Sequence, residues 1–424
     1  MKPCLMCVCV LSLGVACSSD KTPSGGTAGQ VGVAGSSGAA MTAGAGAATA
    51  GAGVGGSSGT TMSAAGSVSA GSGGTTTSGG AGGAVGSAGT AGSTGTAGST
   101  GTAGSAGTAG SAGTAGSGGG AAGTAFKCPA GPYAALTVPT TNAARIAGAP
   151  PSDSFNTGHG NVEGPVWIGD ALYFSEMKDG DIPPARILKY VPGGAVTVAV
   201  TDSGSNGLAV DPNGVLTGAV HKDGSVSQFA LPGGAVTPLV TMYMGKRFTS
   251  PNDLAIRSDG TIYFSDPKYQ NSANPQGAER LYWVTPGPTR TVTAVTGAPT
   301  TPNGVTLSPD EHTLYVSGSS LKKFTVMTDG SLTGAADVPG GGSTGDGMVV
   351  DCAGDLFVAI GGSVQIFPAA GGGTKSINID GNGASITNVA FGNADHKTLY
   401  ITAQGNQGVR GVFSVALNVP GYPY

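Results

Sequence analysis

Short apolar runs, separated by turns rich in glycine, asparagine and aspartate, recur along the second part of the chain. A representative stretch is NDLAIRSDGTIYFSD, which starts at Asn252 and places an Asp-Gly turn between two apolar runs. Runs joined by such turns are typical of β-hairpins. Because no long stretch shows helical periodicity, the sequence predicts an all-β fold.

This hairpin pattern occurs six times, at intervals of 42 to 51 residues. The copies start at Glu163, Asn206, Asn252, Asn303, Asp346 and Asn388. Repeats of about 45 residues with four β-like runs each predict a six-bladed β-propeller with four-stranded blades. A β-sandwich is the structural alternative, but it does not predict six equivalent polar residues.

The last repeat has only three apolar runs before the chain ends. The stretch between Ala134 and Ala147 is strand-like and has no place in the first repeat. We therefore expect this segment to supply the missing outer strand and close the ring, which would remove an exposed sheet edge.

The N-terminal part of the chain has a different composition. No charged residue occurs between Lys21 and Lys127, and the unit GTAGST recurs from Gly89 onward. Such a segment buries too little apolar surface to offset its chain entropy. Residues 18–126 are therefore predicted to be a disordered linker, and residues 127–424 the folded domain. A stacked-repeat fibre is the alternative, and the lack of bulky residues argues against it.

Residues 1–17 carry one Lys, a short apolar run and small residues before Cys17, as a secretory signal does. The ending LGVAC resembles a bacterial lipobox, although Gly14 stands where the lipobox usually has Leu. We expect lipidation of Cys17 and export to the cell envelope, at the outer membrane or cell surface. The membrane would be contacted through the lipid anchor only. A cleaved signal and a secreted protein are the alternative.

Two cysteines, Cys128 and Cys352, remain in the predicted domain. They can pair in an oxidising compartment, but two unpaired buried thiols fit the sequence equally well. The formal net charge of −4 argues against a nucleic-acid partner. We expect a monomer with a small-molecule substrate.

The innermost strands of a propeller line its channel, so equivalent positions in the blades form a ring. All six repeat starts carry side-chain oxygens, and those of Glu163 and Asp346 are carboxylates. This set suits one hard divalent cation, Ca²⁺ first, with Mg²⁺, Mn²⁺ or Zn²⁺ as alternatives. Asn and Asp that merely cap strands would explain one or two of the positions, not six.

Several motifs share one family's order and spacing: EGPVW from residue 163, SPNDL from 250, PNGV from 302, GDGMVVD from 345 and TNVAFG from 387. Together they resemble the SMP-30/gluconolactonase family. The resemblance implies a propeller with one central cation held by Glu163, Asn303 and Asp346. It implies that Asn252 is a fourth ligand or a substrate contact.

The resemblance also implies that Asn206 and Asn388 surround the ligands, and that Asp346 is the general base. Arg247 and His221 are expected at the channel mouth, as substrate contacts or as surface and turn residues. This chain departs from the usual family pattern at Thr249 and at Val-His-Lys 220–222, which leaves the substrate open.

The sequence therefore predicts a metal-dependent hydrolase of sugar lactones, in which Glu163 and Asp346 are the catalytic carboxylates. A phosphotriesterase-type hydrolase is one alternative. A non-enzymatic exported binding propeller with a structural metal is the other. We further expect the Asn252 oxygen to face the propeller axis and Asp253 to point away into its blade.

Overall fold

The computed structural model describes residues 127–178, 182–342, 344–381 and 383–422. These residues form six four-stranded antiparallel sheets and one two-stranded hairpin. The predicted all-β propeller with four-stranded blades is confirmed. The predicted signal (1–17) and linker (18–126) lie outside the described residues. No described helix is long and apolar enough to cross a membrane.

Each blade is a meander in which the first strand is innermost. The N-terminal strand is β1 (Ala144–Arg145). Blade 1 contains β2 (Asn161–Ile168), β3 (Ala171–Lys178), β4 (Ile182–Tyr190) and β5 (Val196–Val200). Blade 2 contains β6 (Ser205–Val210), β7 (Leu216–Val220), β8 (Ser225–Phe229) and β9 (Val236–Val240). A hairpin follows, with β10 (Met242–Tyr243) and β11 (Lys246–Arg247).

The later blades repeat this arrangement. Blade 3 contains β12 (Leu254–Ile256), β13 (Ile262–Asp266), β14 (Arg280–Val284) and β15 (Val292–Ala294). Blade 4 contains β16 (Val305–Leu307), β17 (Thr313–Val316), β18 (Lys322–Val326) and β19 (Leu332–Asp337). Blade 5 contains β20 (Met348–Val350), β21 (Leu356–Ile360), β22 (Ser363–Phe367) and β23 (Lys375–Asn378). Blade 6 contains β24 (Ser385–Gly392), β25 (Thr398–Gln404), β26 (Gly411–Ala416) and β1.

Strand β1 closes the ring as predicted. It pairs antiparallel with β26, with Ala144 opposite Ser414, and it lies inside the expected segment 134–147. The preceding Ala143 N–H donates to the Asn378 carbonyl of blade 5 at 2.8 Å. The N-terminal segment therefore fastens blades 5 and 6 to each other.

The apolar core lies mainly between neighbouring blades. In one cluster, Ala219 and Val226 of blade 2 are buried with Phe264 and Tyr282 of blade 3. The Phe264 and Tyr282 rings stack at 5.2 Å between centroids. Because each inner strand is covered by blades on both sides, short runs such as β12 and β20 are buried along their whole length.

A disulfide joins Cys128 to Cys352, across a sequence separation of 224 residues. The sequence alone left this pairing open. The Cys352 N–H donates to the Pro420 carbonyl of the C-terminal tail at 2.8 Å. The start of the domain and its C-terminal tail are thus both held beside the end of β20.

Candidate active site

The repeat-start residues occupy equivalent places in their blades. The backbone N–H groups of Asn252 and Asp346 each donate to the second strand of their own blade at 2.9 Å. The Asn303 N–H donates at 2.9 Å to Ser317, the residue directly after the second strand of blade 4. In blades 3, 4 and 5 the inner strand begins two residues later, at Leu254, Val305 and Met348. We call the six repeat-start residues the oxygen ring: Glu163, Asn206, Asn252, Asn303, Asp346 and Asn388.

Backbone contacts connect neighbouring members of the oxygen ring. The Gly207 N–H donates to the Asn252 carbonyl at 2.7 Å. A methyl group on Gly304 would lie 2.3 Å from the Asp346 carbonyl oxygen. Gly164 has a φ of 52°, and a side chain there would come within 2.4 Å of the Asn206 carbonyl. Glycine after a ring residue therefore lets adjacent blades approach closely at the axis.

Four of the six ring residues are buried, and the side-chain oxygens of two ring residues are free to bind a ligand. Glu163, Asn206 and Asn252 are at most 5% exposed. The buried side-chain oxygens of Asn206 and Asn303 have no hydrogen-bond partner among the described residues. Unpaired buried oxygens are costly unless something satisfies them. These amide oxygens, with two carboxylates in the same ring, fit a hard cation.

Glu163 is a strongly perturbed carboxyl of the ring. Burial raises its pKa well above the usual value, and the charges of Asp346 and Asp253 raise it further. Its Oε2 atom accepts hydrogen bonds from the Gly164 N–H at 2.8 Å and from the Asn388 amide at 3.2 Å. A bound cation would compensate this concentration of buried negative charge.

The Asn388 side chain is already occupied by protein contacts. Its amide nitrogen donates to Glu163, and its oxygen accepts from the Val389 N–H at 2.8 Å. With both ends engaged, Asn388 positions Glu163 and does not present a free oxygen to the axis.

The expectation for Asp253 was wrong. One oxygen of its carboxyl group accepts from the Val305 N–H of blade 4 at 3.2 Å. The other lies 2.4 Å from where a Gly207 side chain in blade 2 would begin. That second oxygen accepts from the Leu254 N–H at 2.9 Å. Burial raises the pKa of Asp253 to about 7. The carboxyl thus lies against both neighbouring blades and does not point away into its own blade.

A buried carboxylate holds the loop that carries Asn252. Asp266 at the end of β13 accepts from the N–H groups of Thr249 and Ser250, at 2.9 and 2.6 Å. Burial raises the pKa of Asp266 to about 6. Asp266 therefore fixes the turn before Pro251 and so places Asn252.

Tyr269, which the sequence did not single out, lies beside the ring. Its hydroxyl donates to the Thr301 carbonyl at 3.4 Å. Burial raises its pKa, and the nearby charge of Asp346 raises it further. The hydroxyl approaches Asn303 without making a well-aligned hydrogen bond to its oxygen. The Tyr269 side chain is half exposed. It can therefore contact a substrate while it lies beside the ring.

His221 and Arg247 lie together near the end of β7. His221 is 3% exposed, and burial lowers its pKa to about 4. Neither ring nitrogen has a hydrogen-bond partner in the part of the chain that the structure describes. The exposed Arg247 donates to the carbonyls of Phe248 and His221, at 3.1 and 3.3 Å. Arg247 therefore braces this loop, while His221 keeps a neutral imidazole free.

No group of three or more His, Cys, Asp or Glu side chains within the described residues is arranged to hold a metal. Any cation at the ring would therefore depend on amide oxygens as well as carboxylates. This composition differs from that of a zinc site built from His and Cys.

Comparison with known proteins identifies the family of this chain. Residues 162–405 match the family described as SMP-30/Gluconolactonase/LRE-like region. The chain belongs to this family. The match spans β2 to β25, so the closing pair β1 and β26 and the cysteine Cys128 lie outside the family region.

Relatives in the SMP-30/gluconolactonase family include lactonases. A gluconolactonase of Zymomonas mobilis is 31% identical over 291 residues, which cover 58% of this chain and 76% of the relative. A pentonolactonase of Haloferax volcanii is 26% identical over 262 residues, covering 58% and 82%. The structure of a gluconolactonase from Xanthomonas campestris superposes with a TM-score of 0.53 at 26% identity, covering 69% of this chain and 99% of that one.

Proposed function

We propose that this protein hydrolyses sugar lactones with the help of one divalent cation at the oxygen ring. The observation that carries the proposal is the pair of buried and unpartnered amide oxygens, on Asn206 and Asn303, in a ring that also holds two carboxylates. The lactonase names of the relatives support the reaction class.

Glu163, Asn303 and Asp346 would hold the cation, Ca²⁺ first by the hardness of the donor set. Asn252 would complete the site or contact the substrate. When bound, the cation would polarise the lactone carbonyl and favour attack by water. Asn388 keeps Glu163 in place through its amide hydrogen bond.

Asp346 is the candidate general base. It is only half-buried, whereas Glu163 is 3% exposed. A base that takes a proton from water needs access to that water, so Asp346 suits this role better than Glu163. The Tyr269 hydroxyl and the neutral His221 imidazole would donate or accept hydrogen bonds at the substrate.

The proposal is tested with the purified full chain and two substrates. A pH-stat would follow hydrolysis of glucono-1,5-lactone, and a parallel assay would follow a phosphotriester. We expect turnover of the lactone and its loss in Asp346→Asn, with thermal unfolding preserved. Asp337→Asn, at an exposed ion pair with Lys322, is the matched control. A fully active Asp346→Asn variant would refute the catalytic role of the ring. Hydrolysis of the phosphotriester but not of the lactone would refute the proposed lactone substrate.

We also propose export of the protein, lipidated at Cys17 or else secreted. The Cys128–Cys352 disulfide supports this, because disulfides persist mainly in oxidising compartments. Mass spectrometry of the mature N-terminus from envelope and medium fractions tests it. An acylated Cys17 would support anchoring. An unprocessed Met1 in the cytosolic fraction would contradict export.

A further inference from the structure

A pocket of about 290 Å³ lies between blades 1 and 6. Its polar lining comes from His159, Ser385, Gln404 and Asn406, and Val409 adds an apolar side chain. Ser385 and Gln404 are direct partners on β24 and β25, so their side chains stand on the same face of the sheet. The volume is near the lower end of the roughly 300–1,000 Å³ range of ligand pockets, which suits a small ligand.

The pocket lies near the oxygen ring, at the same end of the channel. Ser385 precedes Asn388 by three residues on β24, and His159 precedes Glu163 by four residues on the neighbouring inner chain segment. At about 3.3 Å per residue, this separates the pocket from the ring by roughly 10–13 Å. A hydrogen bond at the pocket end takes up about 3 Å of this distance. The rest suits a ligand the size of one sugar, with one end at the ring.

The chemistry of the lining is polar and carries no carboxylate, lysine or arginine. The side chains of Ser385, Gln404 and Asn406 make no hydrogen bond to another described residue. Hydroxyl and amide groups both donate and accept hydrogen bonds. Such groups match the hydroxyls of a neutral polyol better than a charged or purely apolar ligand.

Two arginines hold the loops that form this pocket. Arg410, which is 2% exposed, donates to the carbonyls of Asn156 and Gly158 on one loop. The backbone N–H of Arg410 donates to the Asn406 carbonyl, on the second loop of the pocket, at 3.1 Å. Arg145 donates to the Gly408 carbonyl at 2.6 Å. These contacts hold the loops of the pocket in place without a ligand. The pocket is therefore preorganised, which favours specific binding.

We propose that this pocket is a subsite for the hydroxyl groups of the substrate, so that the protein selects polyhydroxylated lactones over unsubstituted ones. The proposal rests on the proposed lactonase function for its substrate, while the pocket itself can be tested independently.

The test compares glucono-1,5-lactone with δ-valerolactone, which lacks the hydroxyls, on the full chain. Gln404→Leu removes one hydrogen bond from a neutral amide, so kcat/KM for the sugar lactone should fall roughly 3- to 10-fold. The value of kcat/KM for δ-valerolactone should change less. We expect Ser385→Ala to show a similar difference between the two substrates. Gln365→Leu on β22 of blade 5 is the control and should leave the ratio of the two substrates unchanged. Thermal unfolding checks each fold.

An unchanged ratio in both pocket variants, or an equal loss on both substrates, would overturn the subsite. Saturation-transfer NMR with the neutral polyol glucitol separates this result from failure of the proposed function. If no lactone is hydrolysed but glucitol receives saturation transfer that Gln404→Leu removes, the subsite stands and the lactonase proposal fails. If glucitol receives no saturation transfer from the wild-type chain, the subsite is refuted.

Discussion

Replacing Asn388 by leucine should weaken divalent-cation binding while leaving the propeller folded. Leucine has the same branching as asparagine but cannot donate a hydrogen bond. The variant would therefore release Glu163 Oε2 from its 3.2 Å contact with the Asn388 amide. Glu163 would keep the Gly164 N–H as its remaining donor, at 2.8 Å. Its carboxylate would then be free to rotate away from the axis.

The size of the effect follows from the contact that is lost. A hydrogen bond to a charged acceptor contributes about 1.5–3 kcal/mol. Removing a residue that orients a metal-binding carboxylate typically lowers metal affinity by about 10- to 100-fold. We therefore expect a weakening in this range, measured by calorimetric titration of CaCl₂ into the full chain after dialysis against EDTA.

Thr402→Val is the matched control. Thr402 is buried in the same blade, and its hydroxyl contacts the Asn388 carbonyl at 3.2 Å and the Thr387 hydroxyl at 2.9 Å. It does not touch Glu163, so valine should lower the thermal stability without a comparable loss of affinity. The reasoning would be wrong if Asn388→Leu bound Ca²⁺ as tightly as wild type, or if Thr402→Val lost as much affinity.

Three further predictions concern stability and turnover. Cys352→Ser should lower the free energy of unfolding by up to about 5 kcal/mol in the loop-entropy picture, because the bridge closes a 224-residue separation; an unchanged urea midpoint would contradict this. Tyr269→Phe should lower kcat/KM for the lactone by roughly 10-fold at unchanged melting temperature, since one hydroxyl contact is lost, and wild-type kinetics would exclude the hydroxyl from the site. Because burial raises the pKa of Asp266 to about 6, its folded-state proton stabilises the protein below about pH 4, and this contribution is lost as the pH rises through about 6. Relative to Asp266→Asn, the wild type should therefore lose unfolding free energy between pH 4 and 6, and parallel pH curves for the two proteins would refute the assignment.

The fold could be predicted because its information is local and repeated. Each blade carries its own turn residues and apolar runs, and six copies fix the architecture. The missing strand of the last repeat pointed to the N-terminal segment, where β1 is found. The ring could be predicted for the same reason, since equivalent register places equivalent residues around one axis.

The orientation of Asp253 could not be predicted by alternation. Neighbouring residues face opposite sides only in a regular strand. Strand β12 begins at Leu254, so Asn252 and Asp253 both precede it. In that segment the Asp253 side chain contacts the neighbouring blades, and the rule of alternating faces does not apply.

The position of Tyr269 and the disulfide could not be predicted from the sequence for a different reason. Tyr269 lies in a loop of blade 3 between β13 and β14, and the loop has no counterpart in the repeat pattern. Cys128 and Cys352 are brought together only by closure of the ring, across 224 residues of sequence. Contacts of this kind depend on the assembled propeller and leave no local pattern in the sequence.

The central claim is that the oxygen ring binds one divalent cation on which lactone hydrolysis depends. The most direct measurement removes metal from the full chain with EDTA and follows glucono-1,5-lactone hydrolysis while Ca²⁺ is added back, with bound metal counted in parallel. Turnover should vanish without metal and return in proportion to occupancy, levelling off at one ion per chain. Full turnover by metal-free protein, or binding of Ca²⁺ without any return of turnover, would contradict the claim.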